Sequence, residues 1–420
     1  MKSTTRLQLS GMMFIEFFIW GAWFVTLGTF LSSNLHATGS QTSSVFSTQS
    51  WGAMIAPFII GLIADRYFNA EKILGVLHLI GAALMIYMYT AGQVTQVYPE
   101  SFFYYLLLYM VLFMPTLALV NSIAFNQMND PEKEFSTIRV WGTLGWIVAG
   151  LLISYVFLWD SEVNVKAGLM RNTFLLAAIA SLVMGIFSFT LPKTPPKVAA
   201  GTKVTASDII GLDALKLLKN KNFLIFFIAS ILICIPLAFY YQVANLFLSN
   251  IGVANPTGKM TIGQGSEVLF LLALPLFFKK FGFKKTILLG MFAWALRYAL
   301  FAYGNAGNLS FMLIIGIALH GVCYDFFFVS GQIYTNAKAG IKYKSAAQGL
   351  ITLATYGIGM LIGFKIAGLI TDTYTLSENV FNWKMIWIIP SIIALAVFLL
   401  FAISFNEKKE KFITDQSLNI

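Results

Sequence analysis

Apolar runs of about 20 residues alternate with short polar interruptions along this chain, the period expected when each run crosses a hydrocarbon layer as one helix. Twelve runs of spanning length stand out, near residues 8–31, 43–65, 73–92, 101–127, 137–159, 171–192, 222–249, 261–279, 285–304, 308–336, 345–371 and 382–405. The longest polar interruption, 193–221, divides them six and six. Its second half, Ser207–Lys219, spaces apolar and basic residues at helical intervals suited to lying along a membrane surface. The pattern predicts an all-α membrane protein with twelve transmembrane helices. Residues 1–192 form one six-helix bundle, 193–221 a central loop, 222–405 a second bundle and 406–420 a tail.

Composition agrees with the pattern. Of the residues, 58% are hydrophobic and 11% charged, where a soluble chain carries about 25% charged residues. Mean hydropathy is +0.76. The net charge of +10 does not point to nucleic acid, because the Lys and Arg residues sit between apolar runs rather than on a soluble domain. Basic residues fill the N-terminus, the 193–221 loop, Lys279–Lys285, Lys338–Lys344 and Lys408–Lys411; the opposite loops hold Lys166, Arg171, Lys259 and Lys384. The positive-inside rule then places both termini in the cytoplasm, as an even number of spans requires. The apolar stretch from Leu7 is too long for a signal-peptide core and reads as a retained first helix. Two cysteines, Cys234 and Cys323, and three scattered histidines supply no disulfide scaffold and no metal spacing, so no metal or cofactor is expected.

Two six-helix halves joined by a basic loop are the outline of the major facilitator fold. The segment G-L-I-A-D-R-Y-F-N-A-E-K, Gly61–Lys72, resembles the gating motif of that superfamily at Gly61, Asp65, Arg66 and Lys72, without its second glycine. Asp65 and Arg66 are the gating candidates; plain interfacial charges are the other reading.

Charges inside the runs are the candidate chemistry. Glu267 lies in the otherwise nearly uncharged stretch Thr261–Phe278, about 12 residues and so roughly 18 Å of helix before Lys279. That puts it near mid-depth, where a carboxyl group costs about 2.5–3.5 kcal/mol even on lenient scales. The same ruler sets Arg297 about 12 residues past Lys285, Asp325 about 13 before Lys338, and Glu16 about 10 beyond Arg6. Arg139 falls nearer the cytoplasmic side, only about 5 residues after Glu134. Glu16, Glu267 and Asp325 against Arg139 and Arg297 nearly neutralise one another on paper. Arg297 and Asp325 are therefore either a structural pair or working charges.

Three helical faces collect polar and aromatic groups. Arg139, Thr143 and Trp146 share a stripe of the fifth span, Gln264 and Glu267 a face of the eighth, and His320, Tyr324 and Phe327 a face of the tenth. Arginine and amide groups hydrogen-bond heterocycles and sugar hydroxyls, and aromatic rings stack on them. Each group also has a packing alternative: His78 as packing, Trp146 as an ordinary core ring, His320 as a hydrogen-bonded helix contact.

At these residues the chain resembles the nucleoside:proton symporter family of bacterial permeases, within the major facilitator superfamily. The carriers are Phe17–Gly28, Phe113–Ile123, I-R-V-W-G-T-L-G-W (Ile138–Trp146), Asp208–Asn220, S-E-V-L-F (Ser266–Phe270), Trp294–Gly304 and Y-D-F-F-F-V-S-G (Tyr324–Gly331). The resemblance implies proton-driven uptake of nucleosides across the bacterial inner membrane, around a midplane site reached by alternating access. It implies substrate contacts at Arg139, Thr143, Trp146, Gln264 and Glu267, and proton coupling at Glu267 or the tenth-helix aspartate, Asp325. The family's polar pair on the seventh helix aligns with Ala238 and Tyr241, leaving Gln242 and Asn245 nearby as replacements. A tyrosine position is His320, a phenylalanine position is Tyr324, and Glu16 stands where a relative has glutamine. The expected partners are a nucleoside, a proton and the bilayer, with the chain acting as a monomer and not as an enzyme. The alternatives are a symporter of another polar solute such as a sugar, and a sensory relative that binds without transport.

Overall fold

The computed structural model describes residues 2–60, 67–92, 99–196 and 212–406. Helices α1 (Ser3–Trp23), α2 (Leu27–Leu35), α3 (Gly39–Ile59), α4 (Ala70–Ala91), α5 (Pro99–Gln127), α6 (Pro131–Leu151), α7 (Glu162–Lys166) and α8 (Asn172–Ser188) come first. They are followed by α9 (Lys221–Asn250), α10 (Pro256–Tyr303), α11 (Ser310–Ala318), α12 (His320–Tyr324), α13 (Ser330–Thr352), α14 (Met360–Thr373) and α15 (Trp383–Ser404). One small hairpin, β1 (Thr375–Ser377) with β2 (Val380–Phe381), precedes α15. A helix satisfies its backbone groups internally, and so it is the element a single apolar run adopts in hydrocarbon.

Ten described helical stretches are long and apolar enough to cross a membrane. Two of the expected runs, 261–279 and 285–304, fall in the single stretch α10. Its 48 residues would extend about 72 Å as one helix, more than twice the hydrocarbon thickness. Gly282 breaks it, with φ 75° and ψ 175°, a conformation essentially reserved for glycine. Gly340 breaks α13 the same way, at φ 63° and ψ 177°. Both basic segments therefore break their helix at a residue without Cβ. The run beginning near residue 43 is not among the ten because α3 is rich in Ser, Thr and Gln. Its hydroxyls bond back to their own helix: Ser43 to Ser40 O (2.8 Å), Ser47 to Ser44 O (2.6 Å) and Thr48 to Val45 O (2.7 Å).

The chain divides into two compact units, Met1–Val204 with Leu248–Thr261, and Thr205–Phe247 with Ile262–Ile420. In the first, α1 packs on α6 and α8, α3 on α5, and α4 on α8. Backbones approach closely where glycine intervenes: a Cβ on Gly145 of α6 would clash with the Phe14 carbonyl oxygen of α1. Two buried acids tie this unit together at helix starts. Glu71 accepts from Thr194 N (2.9 Å), holding the chain after α8 against the first turn of α4. Asp160 accepts from Thr257 N (2.9 Å) and from the Ser154 hydroxyl, which itself accepts from Gly258 N (2.6 Å). An anion there answers both the open amides and the dipole at the start of α10.

In the second unit, Lys284 Nζ donates to the carbonyls of Ala402 and Phe405, both at 2.7 Å, closing the C-terminal end of α15. Asn222 and Asn406 bond reciprocally (2.8 and 3.2 Å), joining the start of α9 to the chain after α15. Of the surface segment expected at Ser207–Lys219, Leu212–Lys219 is a 3-10 turn and the remainder lies outside the described residues.

Gly145→Val should weaken the α1–α6 contact, since overpacking costs about 1–3 kcal/mol. The midpoint of thermal unfolding in detergent is expected to fall. Gly349→Ala, where no neighbour lies within 4 Å, should leave it unchanged.

Candidate functional site

In the first unit, α6 carries Arg139, Thr143 and Trp146 on successive turns, all half-buried. The Arg139 guanidinium lies over the Phe17 ring of α1, 4.0 Å from its centroid. A cation against an aromatic face gains about 0.5–2 kcal/mol, more as water is excluded. Gly142 makes room for it, because a Cβ there would sit 2.7 Å from Arg139 Nη1. Trp146 meets Trp20 edge to face, with centroids 5.6 Å apart. Phe17 and Trp20, one turn apart on α1, thus support both polar and aromatic members of the α6 stripe.

Behind this stripe, Glu16 is fully buried and bonded. His78 Nε2 lies 2.8 Å from Glu16 Oε2, and the Thr116 hydroxyl donates to Glu16 Oε1 at 2.5 Å. Three helices, α1, α4 and α5, meet at this carboxyl group. His78 is therefore a partner for an acid rather than simple packing, and Glu16 is answered without an arginine.

In the second unit, Gln264 and Glu267 lie one turn apart on α10, both half-buried, with 25% of the Glu267 side chain accessible. Gly321 brings the start of the tenth span against them: a Cβ there would lie 2.5 Å from the Ser266 carbonyl group, and Gly321 N donates to Ser266 Oγ at 3.0 Å. This approach places His320 Nε2 at 3.9 Å from Glu267 Oε2. On its other side His320 Nδ1 faces Arg297 Nη1 at 3.0 Å. Arg297 is completely buried, its guanidinium 3.6 Å from the Tyr240 centroid, with Trp294 and Phe301 at 5.6 and 5.7 Å. Tyr324 meets Tyr356, hydroxyl to hydroxyl at 2.6 Å.

Arg297 and Asp325 do not form the structural pair that their matching depths allowed. Arg297 bonds His320 instead. Asp325, 1% exposed, opens a π-helical turn, Asp325–Val329, and its Oδ2 has no hydrogen-bond partner among the described residues. Such turns often mark working sites. Gln242 and Asn245 are both buried on α9. Asp65 and Arg66 lie outside the described residues. Phe17, Tyr240 and Tyr356 escaped sequence reasoning, because one aromatic among many on an apolar helix carries no signal of its contact.

A multi-pass helical protein that keeps acids, imidazole and arginine inside its spans is built to handle a polar solute or ion. The family described as nucleoside H+ symporter matches residues 1–410. The chain is 43% identical to YegT of Escherichia coli (strain K12) over 416 residues, 97% of this chain and 95% of that one. It is 33% identical to the xanthosine permease of the same organism, covering 96% of this chain and 97% of the relative. Identity to its nucleoside permease NupG is 32%, over 91% of this chain and 92% of the relative. The crystal structure of NupG superposes with a TM-score of 0.84 at 29% identity, over 96% of this chain and 99% of that chain. The chain belongs to the nucleoside H+ symporter family, of major facilitator type.

Glu16→Ala would strand His78 in the core, at a cost of about 1–3 kcal/mol for a buried group left unpaired, while Thr116 keeps the Phe113 carbonyl. Chemical unfolding in detergent should show that loss. Glu16→Gln, which keeps a hydrogen-bonding partner for His78, should retain most of the stability.

Proposed function

We propose that this protein carries nucleosides inward across the bacterial inner membrane together with protons, by alternating access. The observation that carries the reading is Glu267: a carboxyl group in an apolar span, one-quarter accessible, in a chain that belongs to the nucleoside H+ symporter family. A group both open to solute and expensive to leave charged is suited to exchanging a proton as the solute binds.

In this reading Arg139, Thr143, Gln264 and Glu267 hydrogen-bond the ribose or the base, with Gln242, Asn245 and His320 completing the polar set. Trp146 and Tyr324 supply ring faces, for which heterocycles are good partners. Glu267 takes the proton, and Asp325 is its rival. A neutral nucleoside gains nothing from the membrane potential by itself, so a carboxyl group that loads a proton with it supplies the coupling. Twelve spans, both termini in the cytoplasm, a gate at Asp65 and Arg66, and a monomer that performs no covalent chemistry belong to the same proposal. The excess of Lys and Arg on one set of loops supports the orientation.

The test is radiolabelled nucleoside uptake into proteoliposomes, with and without an inward proton gradient. Glu267→Gln should abolish gradient-driven accumulation, while exchange of labelled for unlabelled nucleoside persists. Full accumulation by Glu267→Gln, with loss in Asp325→Asn, would move the proton to Asp325. Competition by hexoses rather than nucleosides would overturn the substrate class.

A further inference from the structure

Arg297 is a buried cation with no carboxylate beside it among the described residues, which is an expensive arrangement unless something uses it. Rings answer part of its charge: Tyr240 lies 3.6 Å from the guanidinium carbon, with Trp294 and Phe301 further out. Nε and Nη2 have no hydrogen-bond partner among the described residues, so Nη1 makes the group's hydrogen bond, and that bond goes to His320.

The chemistry of that contact is restrictive. A guanidinium only donates and stays protonated in proteins. At 3.0 Å, therefore, His320 Nδ1 must be the acceptor and must be bare. A ring bare at Nδ1 carries its one proton on Nε2. A second proton would break the bond and set two cations 3.0 Å apart. The ring is further held in place, near-parallel to Tyr240 (centroids 5.4 Å apart, 25°) and tilted against Tyr324 at 5.7 Å. Its Nε2 points at Glu267, 3.9 Å from the nearer oxygen. Modest side-chain movement closes that gap into a charge-assisted hydrogen bond.

We infer that Arg297 is a positioning residue for Glu267: it fixes His320 in the Nε2–H form, so that this imidazole presents a permanent donor to the carboxylate and does not itself take up the transported proton. The ionisable groups that meet the ring are Arg297 and Glu267 on α10, Tyr240 on α9 and Tyr324 on its own span. Among the described residues Arg297 touches Nδ1 and Glu267 faces Nε2. The inference rests on the reading of Glu267 as the coupling group, but its direct test requires no transport.

With three histidines in the chain, 15N labelling of histidine gives few signals, and loss of one in His320→Gln assigns it. Wild-type protein should show His320 bare at Nδ1 and protonated at Nε2 throughout about pH 5 to 8, the window in which a free imidazole titrates. A protonated Nδ1, or titration within that window, would overturn the inference whatever the uptake data say. The second arm is Arg297→Gln, in which His320 is released to titrate. Its apparent nucleoside affinity should then acquire an added acid-side loss of about tenfold, because the imidazolium formed there would hold Glu267 as an ion pair and withhold it from solute and proton. Adding His320→Gln, which keeps an N–H but cannot titrate, should remove that loss. Identical pH profiles for the single and double variants would make Arg297 a packing residue only.

Discussion

Charge placed in hydrocarbon has to be answered where it stands, because no water is available to do it. The polar interior of each unit is arranged around that constraint. In the first unit Glu16 is answered by His78 and Thr116. In the second, Arg297 is answered by rings and an imidazole nitrogen. Asp160 answers the open amides at the start of α10, and Glu71 holds the amide of Thr194 in the chain after α8. These contacts join helices distant in sequence, so satisfying a charge and fastening the bundle are one event.

Aromatic rings do much of this work. Arg139 over Phe17 and Arg297 over Tyr240 lie at 4.0 and 3.6 Å. A ring face offers a cation attraction without adding an opposite charge that would itself need desolvation. It also leaves the donors of the guanidinium directed elsewhere. In Arg297 the consequence is a fixed donor toward His320. In Arg139 it is a half-buried group braced on one side by α1 and resting on Gly142.

The two units treat their carboxylates differently, which bears on function. Glu16 is enclosed and bonded on both oxygens, whereas Glu267 keeps a quarter of its side chain accessible and stands just beyond hydrogen-bond reach of His320. An enclosed acid is a fastening. An accessible one, with an imidazole nitrogen just outside hydrogen-bond range, is placed to change partners. Asp325 is a third case, buried in a π-helical turn with one oxygen unbonded.

Much was legible in the chain alone. Apolar runs near 20 residues long announce spanning helices because the hydrocarbon layer has one thickness. A lone acid such as Glu267 is conspicuous because its cost there is independent of its neighbours. Helical periodicity put Gln264 with Glu267, and Arg139 with Thr143 and Trp146, because residues on one helix face stay together whatever the tertiary packing. Partnership between helices was not legible. Depth alone matched Arg297 to Asp325, while the fold gave Arg297 to His320 and set Asp325 at the first position of a π-helical turn. The approach of Gly321 to Ser266, the Phe17 and Tyr240 platforms and the Glu16–His78 bond depend on rotation and crossing of helices, which composition and spacing do not encode. The sequence by itself determined where charge enters the membrane. Only the tertiary structure decided what answers each charge, because a hydrogen bond is settled by distances of a few tenths of an ångström between helices that are remote in the chain.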